Sequence, residues 1–355
     1  MIESFAMYRL PRADRFTVVR QISGEPLQLL SCTALAGVEG FVMAPFRVSA
    51  DNPILVLKPD VIEDVQLTEE EDVIGTPTNS VCDAEERLIY SRDFDTFHRR
   101  LVCGDFGKIV LARRHDMACD KDVSPERLFR RACRMYPRMF VALVSTPVSG
   151  TWLMATPEIL LEGGGIEWHT IALAGTMKLE GRQLLFDVPA GSRREDGCIK
   201  WSEKNVCEQR IVAKYIAECL GRYSDEMEEN GPYTSRAGNI VHLRSDFRFV
   251  LRSAESVGCL IDDLHPTPAV CGLPKAETYG FIVKNEHGAR KYYSGFAGPW
   301  FKSAQSHLYV SLRCMQIEGR RYGLYAGGGL LADSREQQEW DETEAKLETM
   351  KGLFG

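Results

Sequence analysis

Apolar and polar positions alternate in short runs over the first sixty residues, as in "RFTVVRQI" (15–22) and "GFVMAPFRVSA" (40–50), the period expected of half-buried strands. Residues 62–87 are acidic and rich in turn formers, which predicts an exposed connection. A helix is expected over Ser91–Val102, followed by a buried strand in "GKIVLARR" (107–114). Ser124-Pro125 then caps and opens a helix through "SPERLFRRACRMY". Between 138 and 175, "RMFVALVS", "GTWLMAT", "EILLEG" and "IEWHTIALAG" are joined by Gly and Pro turns at hairpin spacing. The period becomes helical over Glu203–Leu220, where Val212, Tyr215, Ile216 and Cys219 form an apolar stripe that also carries Glu208. A second helix, "VGCLIDDLH", runs into the Pro-rich "PTPAVCGLPK", and strands return in "YYSGFAGPW", "HLYVSLRCMQI" and "YGLYAGGGLL". The chain lacks the regular β-α alternation of a doubly wound sheet and has no internal repeat, so an α+β fold built on antiparallel sheets is predicted.

The last stretch, "YAGGGLLADSREQQEWDETEAKL" (325–347), places three glycines before a helix heavy with carboxylates. No lysine follows the glycines, which excludes a phosphate loop of the G-x-x-x-x-G-K-[ST] type. Asp333-Ser334 is the predicted cap, and Glu339, Glu342 and Lys346 then share one helix face beside an apolar stripe of Trp340, Leu347 and Met350. Such charges are either a solvated face or part of a site.

Composition narrows the classes. With 355 residues, 44% hydrophobic and 26% charged, the chain is globular, and its net charge of -7 gives no field for nucleic acid. The N-terminus has no apolar core of signal-peptide length and no run is long enough for a membrane span, so a cytoplasmic protein with no membrane partner is expected. None of the 11 cysteines forms a C-x-x-C pair, and Cys133, Cys207 and Cys219 fall in amphipathic helical patterns, so reduced thiols are expected. No exposed heptad is present, and a monomer is expected.

Four ionisable residues stand where apolar ones are normal. Lys108 lies in the apolar run "KIVLA", Glu158 follows Pro157 at a strand start, Glu208 occupies a buried stripe, and Arg313 interrupts "LYVSLRCMQI". Taken singly, each reads as an ion pair or an exposed edge; taken together, they are costly unless they converge on a shared ligand or metal.

The motifs that carry these residues, "GKIVLAR", "ATPEILLE", "ALAGTMK", "SEKNVCEQRIV", "VHLRSDF", "LHPTPAVCGLPK", "YYSGFAGPW", "VSLRCMQI" and "LYAGGGLLADSREQQEWDETEAKL", occur in the order seen in chorismate-utilising enzymes. The chain resembles that family, which includes isochorismate synthase, salicylate synthase, aminodeoxychorismate synthase and the large component of anthranilate synthase, from about residue 90 to its C-terminus. The resemblance implies a large α/β sandwich of antiparallel sheets flanked by helices. It also implies one domain over 1–355, with 1–90 as its variable part and 91–355 as its catalytic part. It further implies a Mg²⁺ ion held by Glu208 and Glu342, with Glu339 acting directly or through a bound water. Gly327 to Gly329 would let a carboxylate of chorismate approach the backbone, Gly175-Thr176 would donate hydrogen bonds, and Arg313 and Lys346 would meet the substrate's charges. His242 reads either as a substrate neighbour or as a core histidine satisfied by a backbone carbonyl, and Tyr325 and Leu312 either line the ring or simply pack.

Members of this family differ in the nucleophile. Lys108 resembles the position that serves as general base for water in isochorismate and salicylate synthases, where ammonia-using relatives have glutamine; Glu158 would be the general acid for the C4 hydroxyl. Ala269 stands where salicylate synthases typically carry threonine, which points to isochorismate as the product. The expected function is therefore Mg²⁺-dependent isochorismate synthase acting on chorismate, without a glutaminase subunit. The alternatives are salicylate synthase, an amidotransferase component and a non-catalytic chorismate-binding protein.

Overall fold

The computed structural model describes residues 4–68, 75–79, 83–179, 199–237, 240–301 and 304–354. The chain begins with β1 (Ser4–Arg9), β2 (Arg15–Gln21), β3 (Leu27–Leu29), β4 (Gly40–Ala44), β5 (Ile54–Leu57) and β6 (Val61–Gln66). A short β7 (Pro77–Asn79) precedes α1 (Asp83–Val102), the long β8 (Lys108–Cys119) and α2 (Pro125–Met135). The hairpin block becomes β9 (Phe140–Thr146), β10 (Gly150–Thr156), β11 (Ile159–Gly164) and β12 (Glu167–Lys178). Next come α3 (Glu203–Leu220), β13 (Glu226–Ala237), β14 (Ile240–Val250) and α4 (Val257–Leu264). The C-terminal part holds β15 (Gly272–Leu273), α5 (Lys275–Asn285), β16 (Phe296–Trp300) and β17 (Ser306–Val310). It ends with β18 (Cys314–Glu318), β19 (Arg321–Leu330) and α6 (Glu336–Lys351).

These strands form two antiparallel sheets, as the sequence pattern predicts. One runs β15-β8-β19-β18-β10-β9-β1-β2-β6 with β7 also on β8; the other runs β13-β14-β12-β11-β17-β16-β4-β5-β3. Aromatic contacts join their inner faces: Phe140 of β9 stacks on Tyr309 of β17 with ring centroids 4.4 Å apart. On the outer face of the second sheet, Val212, Ile216 and Leu220 of α3 and Leu260 and Leu264 of α4 pack on Ala172 and Phe247. On the outer face of the first, Leu128 and Phe129 of α2 and Leu347 and Met350 of α6 pack on Leu143, Leu153 and Leu324. Each fully buried side chain of this size contributes about 1.5–3 kcal/mol, so both helix layers are held by ordinary apolar burial. α1 and α5 cover the β8 edge through Phe94, Phe97, Leu101 and Ile282.

Several sequence expectations need correction. Residues 62–87 are not simply a connection: Val61–Gln66 pairs with β2, Pro77–Asn79 pairs with β8, and α1 already begins at Asp83. Positions 69–74 and 80–82 of that stretch lie outside the described residues. Asp333-Ser334 does not cap the last helix. The Ser334 hydroxyl accepts from Leu331 N at 3.0 Å, and α6 starts at Glu336. Cys133 and Cys219 are buried as expected, but Cys207 is exposed, on the solvent side of α3. Finally, "HLYVSLRCMQI" is two strands in different sheets, since β17 ends at Val310 and β18 starts at Cys314.

Candidate active site

Two crossings between the sheets build the site. The chain leaves the first sheet after β10 and enters the second at β11, and it returns from β17 to β18. Glu158 lies in the first crossing and Arg313 in the second. The crossings hold each other: Ala155 N donates to Arg313 O at 3.1 Å, and Val310 N donates to Glu158 O at 2.9 Å. Arg313 turns its corner at φ +43°, a left-handed conformation that costs a non-glycine residue about 1–2 kcal/mol. An arginine that looks misplaced on a strand is thus a corner residue set between the two layers.

One cavity between the sheets collects Glu158, Glu208, Gly175, Thr176, His242 and Arg313. Ala269, Leu312, Tyr325, Gly327 and Lys346 line the same space. Lys108 stands behind it, fully buried, with Nζ 2.9 Å from Glu208 Oε1. Gly329 is what allows this pair, because a Cβ there would come within 2.2 Å of Glu208 Oε1 and 2.8 Å of Lys108 Cε. Gly175 serves differently: it takes φ +73° at an irregularity of β12 between Ala174 and Thr176, where a Cβ would press on the Asn205 backbone of α3.

Burial sets the electrostatics. Glu158 is 2% exposed, and burial raises its pKa to about 7 against the pull of Lys108 and Arg313. Burial also raises Glu208, but the Lys108 ammonium overcomes it and holds that carboxyl below its ordinary value. His242 is pushed well below its ordinary value by burial and by Arg313, so it is neutral. Its Nδ1 contacts Gly175 O at 3.1 Å and the Thr176 hydroxyl at 3.3 Å, and its Nε2 meets Arg313 Nη2. It is both a histidine bonded to a carbonyl and a cavity residue. Arg313 is lowered by burial to about 10, and its Nη1 is buried without a hydrogen-bond partner, a donor suited to a substrate carboxylate.

The acids of α6 lie behind β19. Lys346 Nζ donates to Glu342 Oε1 and to Gly327 O, both at 2.7 Å, and Glu339 pairs with Lys204 of α3. A Cβ on Gly328 would lie 3.4 Å from Glu339 Oε2 and 3.8 Å from Glu342 Oε1, ordinary contact distances, so these carboxylates sit directly against the strand. Burial and the charge of Glu342 raise the Glu339 pKa, and its Oε2 is buried without a partner. Two crowded carboxylates with an unused oxygen, together with Glu208 on the facing helix, make an all-oxygen donor set of the kind a hard divalent cation takes. Among the described residues, however, no three His, Cys, Asp or Glu side chains are grouped so as to hold a metal ion, and Glu208, Glu339 and Glu342 are each paired with a lysine: Lys108, Lys204 and Lys346.

Sequence reasoning overlooked several contributors. Lys204 precedes Glu208 by one helical turn in "SEKNVCEQRIV", a spacing that places both on one face. Tyr293, in the motif "YYSGFAGPW", lines the cavity and stacks on Tyr325 at 5.4 Å. Thr267 donates its hydroxyl to Glu158 Oε1 at 3.4 Å, a contact with no local signal in the sequence.

Comparisons with known proteins agree with this fold. Residues 60–355 match the family described as "Chorismate binding enzyme". Isochorismate synthase EntC of Escherichia coli K12 is 30% identical over 249 residues, 70% of this chain but 62% of that protein, so the chain spans less than two thirds of this relative's length. The structure of MenF, the menaquinone-specific isochorismate synthase of Escherichia coli, has a TM-score of 0.81 at 21% identity, covering 99% of this chain and 89% of that one. Anthranilate synthase component I from Streptococcus pneumoniae has a TM-score of 0.65 at 17% identity, covering 92% of this chain and 80% of that one. With the family match extending over residues 60–355, the chain belongs to the chorismate-binding enzymes.

Proposed function

We propose that this enzyme is an isochorismate synthase: it adds water at C2 of chorismate and expels the C4 hydroxyl. The observation that carries the reading is the pairing of Lys108, buried on β8, with Glu158, a carboxyl raised to about 7, on elements that flank one cavity. Lys108, as the free amine, takes the proton of the attacking water, and Glu158 gives its proton to the departing hydroxyl; the two transfers balance, so no external acid, base or redox partner is needed. Arg313 clamps one carboxylate with its unpaired Nη1, while Lys346 and the Gly175-Thr176 turn hold the other end of the substrate. Tyr325, Leu312 and Tyr293 pack on the ring and exclude bulk water.

Glu208, Glu342 and Glu339 would hold Mg²⁺, which when bound neutralises the ring carboxylate and draws electron density from the ring. Relatives 28–30% identical to this chain are named isochorismate synthases, which supports water rather than ammonia as the nucleophile. Ala269 in the cavity wall supports release of isochorismate without pyruvate, and the reading calls for no glutaminase subunit.

Product analysis tests all of this at once. Incubated with chorismate and Mg²⁺, the protein should yield isochorismate, with no amine product when ammonium is added, and excess chelator should abolish turnover. Stoichiometric pyruvate would convert the assignment to salicylate synthase. An aminated product would convert it to an amidotransferase component.

A further inference from the structure

β8 is paired along one edge by β19, but on its other edge β15 reaches only Lys108 and Ile109 and β7 only Met117 to Cys119. Between those two strands, after Val110 N donates to Cys271 O at 2.7 Å, side chains take over the edge. Ala112 N donates to Glu286 Oε1 at 2.9 Å, and Arg290 Nη2 donates to Val110 O at 2.9 Å. Arg290 also donates to Glu286 through Nε and Nη2, each at 2.6 Å, and through Nη1 to Val270 O at 2.6 Å. Its guanidinium lies 4.3 Å from the ring of Phe46. The pair is buried, Arg290 being 5% exposed, and a buried ion pair is expensive unless its hydrogen bonds are met. Here Nε, Nη1 and Nη2 all are.

The groups so joined belong to opposite sides of the chemistry. Val110 is two residues from Lys108 on the same strand, and Val270 follows Ala269 in the segment whose Thr267 donates to Glu158. Val110 and Val270 both line the cavity. One guanidinium therefore adds to the Val110–Cys271 backbone bond a second tie between the strand of the proton acceptor and the segment that orients the proton donor.

We propose that Glu286 and Arg290 are positioning residues that set the distance between Lys108 and the Thr267–Val270 segment, and so between the two proton-transfer groups. This rests on the base and acid roles assigned above. Neither side chain is among the residues lining the cavity; both act through backbone groups of Val110, Ala112 and Val270. A misplacement of about 1 Å at reacting groups can cost on the order of a hundredfold in rate, so loss of the tie should appear in kcat.

Arg290→Lys keeps the charge but loses the planar fork, and Glu286→Gln keeps the size and the oxygen that accepts from Ala112 N. For Arg290→Lys, kcat should fall by roughly 10–100-fold while KM for chorismate stays within about threefold. The pyruvate share of the products should rise as Ala269 shifts, and amide exchange in the peptide spanning 108–114 should quicken. Glu286→Gln should move all readouts the same way but less, and it decides the matter if Arg290→Lys does not fold. Unchanged exchange in that peptide overturns the tie whatever the product is. Faster exchange with unchanged kcat overturns the positioning role. If the unmodified protein converts chorismate to another product, the isochorismate reading fails by itself, while exchange and the kcat-against-KM split still decide the tie on that turnover.

Discussion

The acid role proposed for Glu158 rests on its burial in a chain crossing. A general acid works only while protonated, and burial raises this carboxyl to about 7. Loss of the Glu158 proton should therefore lower kcat/KM about tenfold per unit above that pH. Glu158→Gln should lower kcat by about 10²–10⁴-fold with little change in KM, and should remove that alkaline limb. A pH–rate profile of both proteins checks this; a limb that survives the substitution belongs to another group. Lys108 makes the complementary case. Lys108→Gln should still bind chorismate, as followed by the fluorescence of Trp152, which stacks near Tyr325, but should lose turnover by a similar factor. Near-normal turnover would move the base elsewhere.

At the scale of elements, the glycine run of β19 is a spacer between α3 and the strand. Gly329→Ala would force a methyl onto the tips of the Lys108–Glu208 pair, which must then shift apart or into the cavity. Turnover should fall at least about tenfold, since the two groups lose their common geometry, and kinetics at saturating Mg²⁺ would measure it. On the proposed reading, the segment following α4 bears on the product through Ala269. Ala269 is partly buried in the cavity wall, and Ala269→Thr adds a methyl and a hydroxyl beside the substrate. A tenfold change in product ratio needs only about 1.4 kcal/mol of differential barrier, within reach of one hydrogen bond or one steric contact. The variant should release more pyruvate than the unmodified enzyme in a coupled pyruvate assay; an unchanged ratio would show that Ala269 does not set the boundary.

Across the whole molecule, a charged network laces five strands of the nine-stranded sheet. His169 of β12 contacts Glu162 of β11 and Asp246 of β14, each at 2.8 Å. His307 of β17 contacts Glu162 at 3.3 Å, while Arg244 of β14 and Tyr233 of β13 donate to Asp246. Burial would lower His169, but bonds to Asp246 and Glu162 raise it above its ordinary value. Burial would raise Glu162 and Asp246, but His169 leads the bonds that depress both, Glu162 to about 2. The signs then differ. The depressed carboxylates stabilise the fold above about pH 4, and that part is lost as pH falls through their folded values. The raised histidine stabilises it below about pH 6.5, and that part is lost as pH rises through its folded value. Urea midpoints should therefore be highest between about pH 5 and 6.5, and His169→Gln should flatten the decline on the alkaline side. An unaltered decline in the variant would remove His169 from the explanation.

By itself the sequence determined whatever depends on near neighbours. Strand and helix periods, the bounds of α3 and the antiparallel class follow from side-chain alternation within a few residues. Lys108, Glu158, Glu208 and Arg313 were legible because a charge in an apolar run is improbable without a partner. The identity of each partner was not legible, because it is set by contacts across long sequence separations. That Lys108 meets Glu208, that Lys204 meets Glu339, and that Thr267 reaches Glu158 follows from sheet order and register. Only the tertiary structure decided that "HLYVSLRCMQI" divides between two sheets, since an unbroken apolar pattern fits one long strand equally well. The same holds for the β8 edge completed by Glu286 and Arg290, where a salt bridge at i,i+4 reads as a surface pair until α5 is docked and the pair is buried.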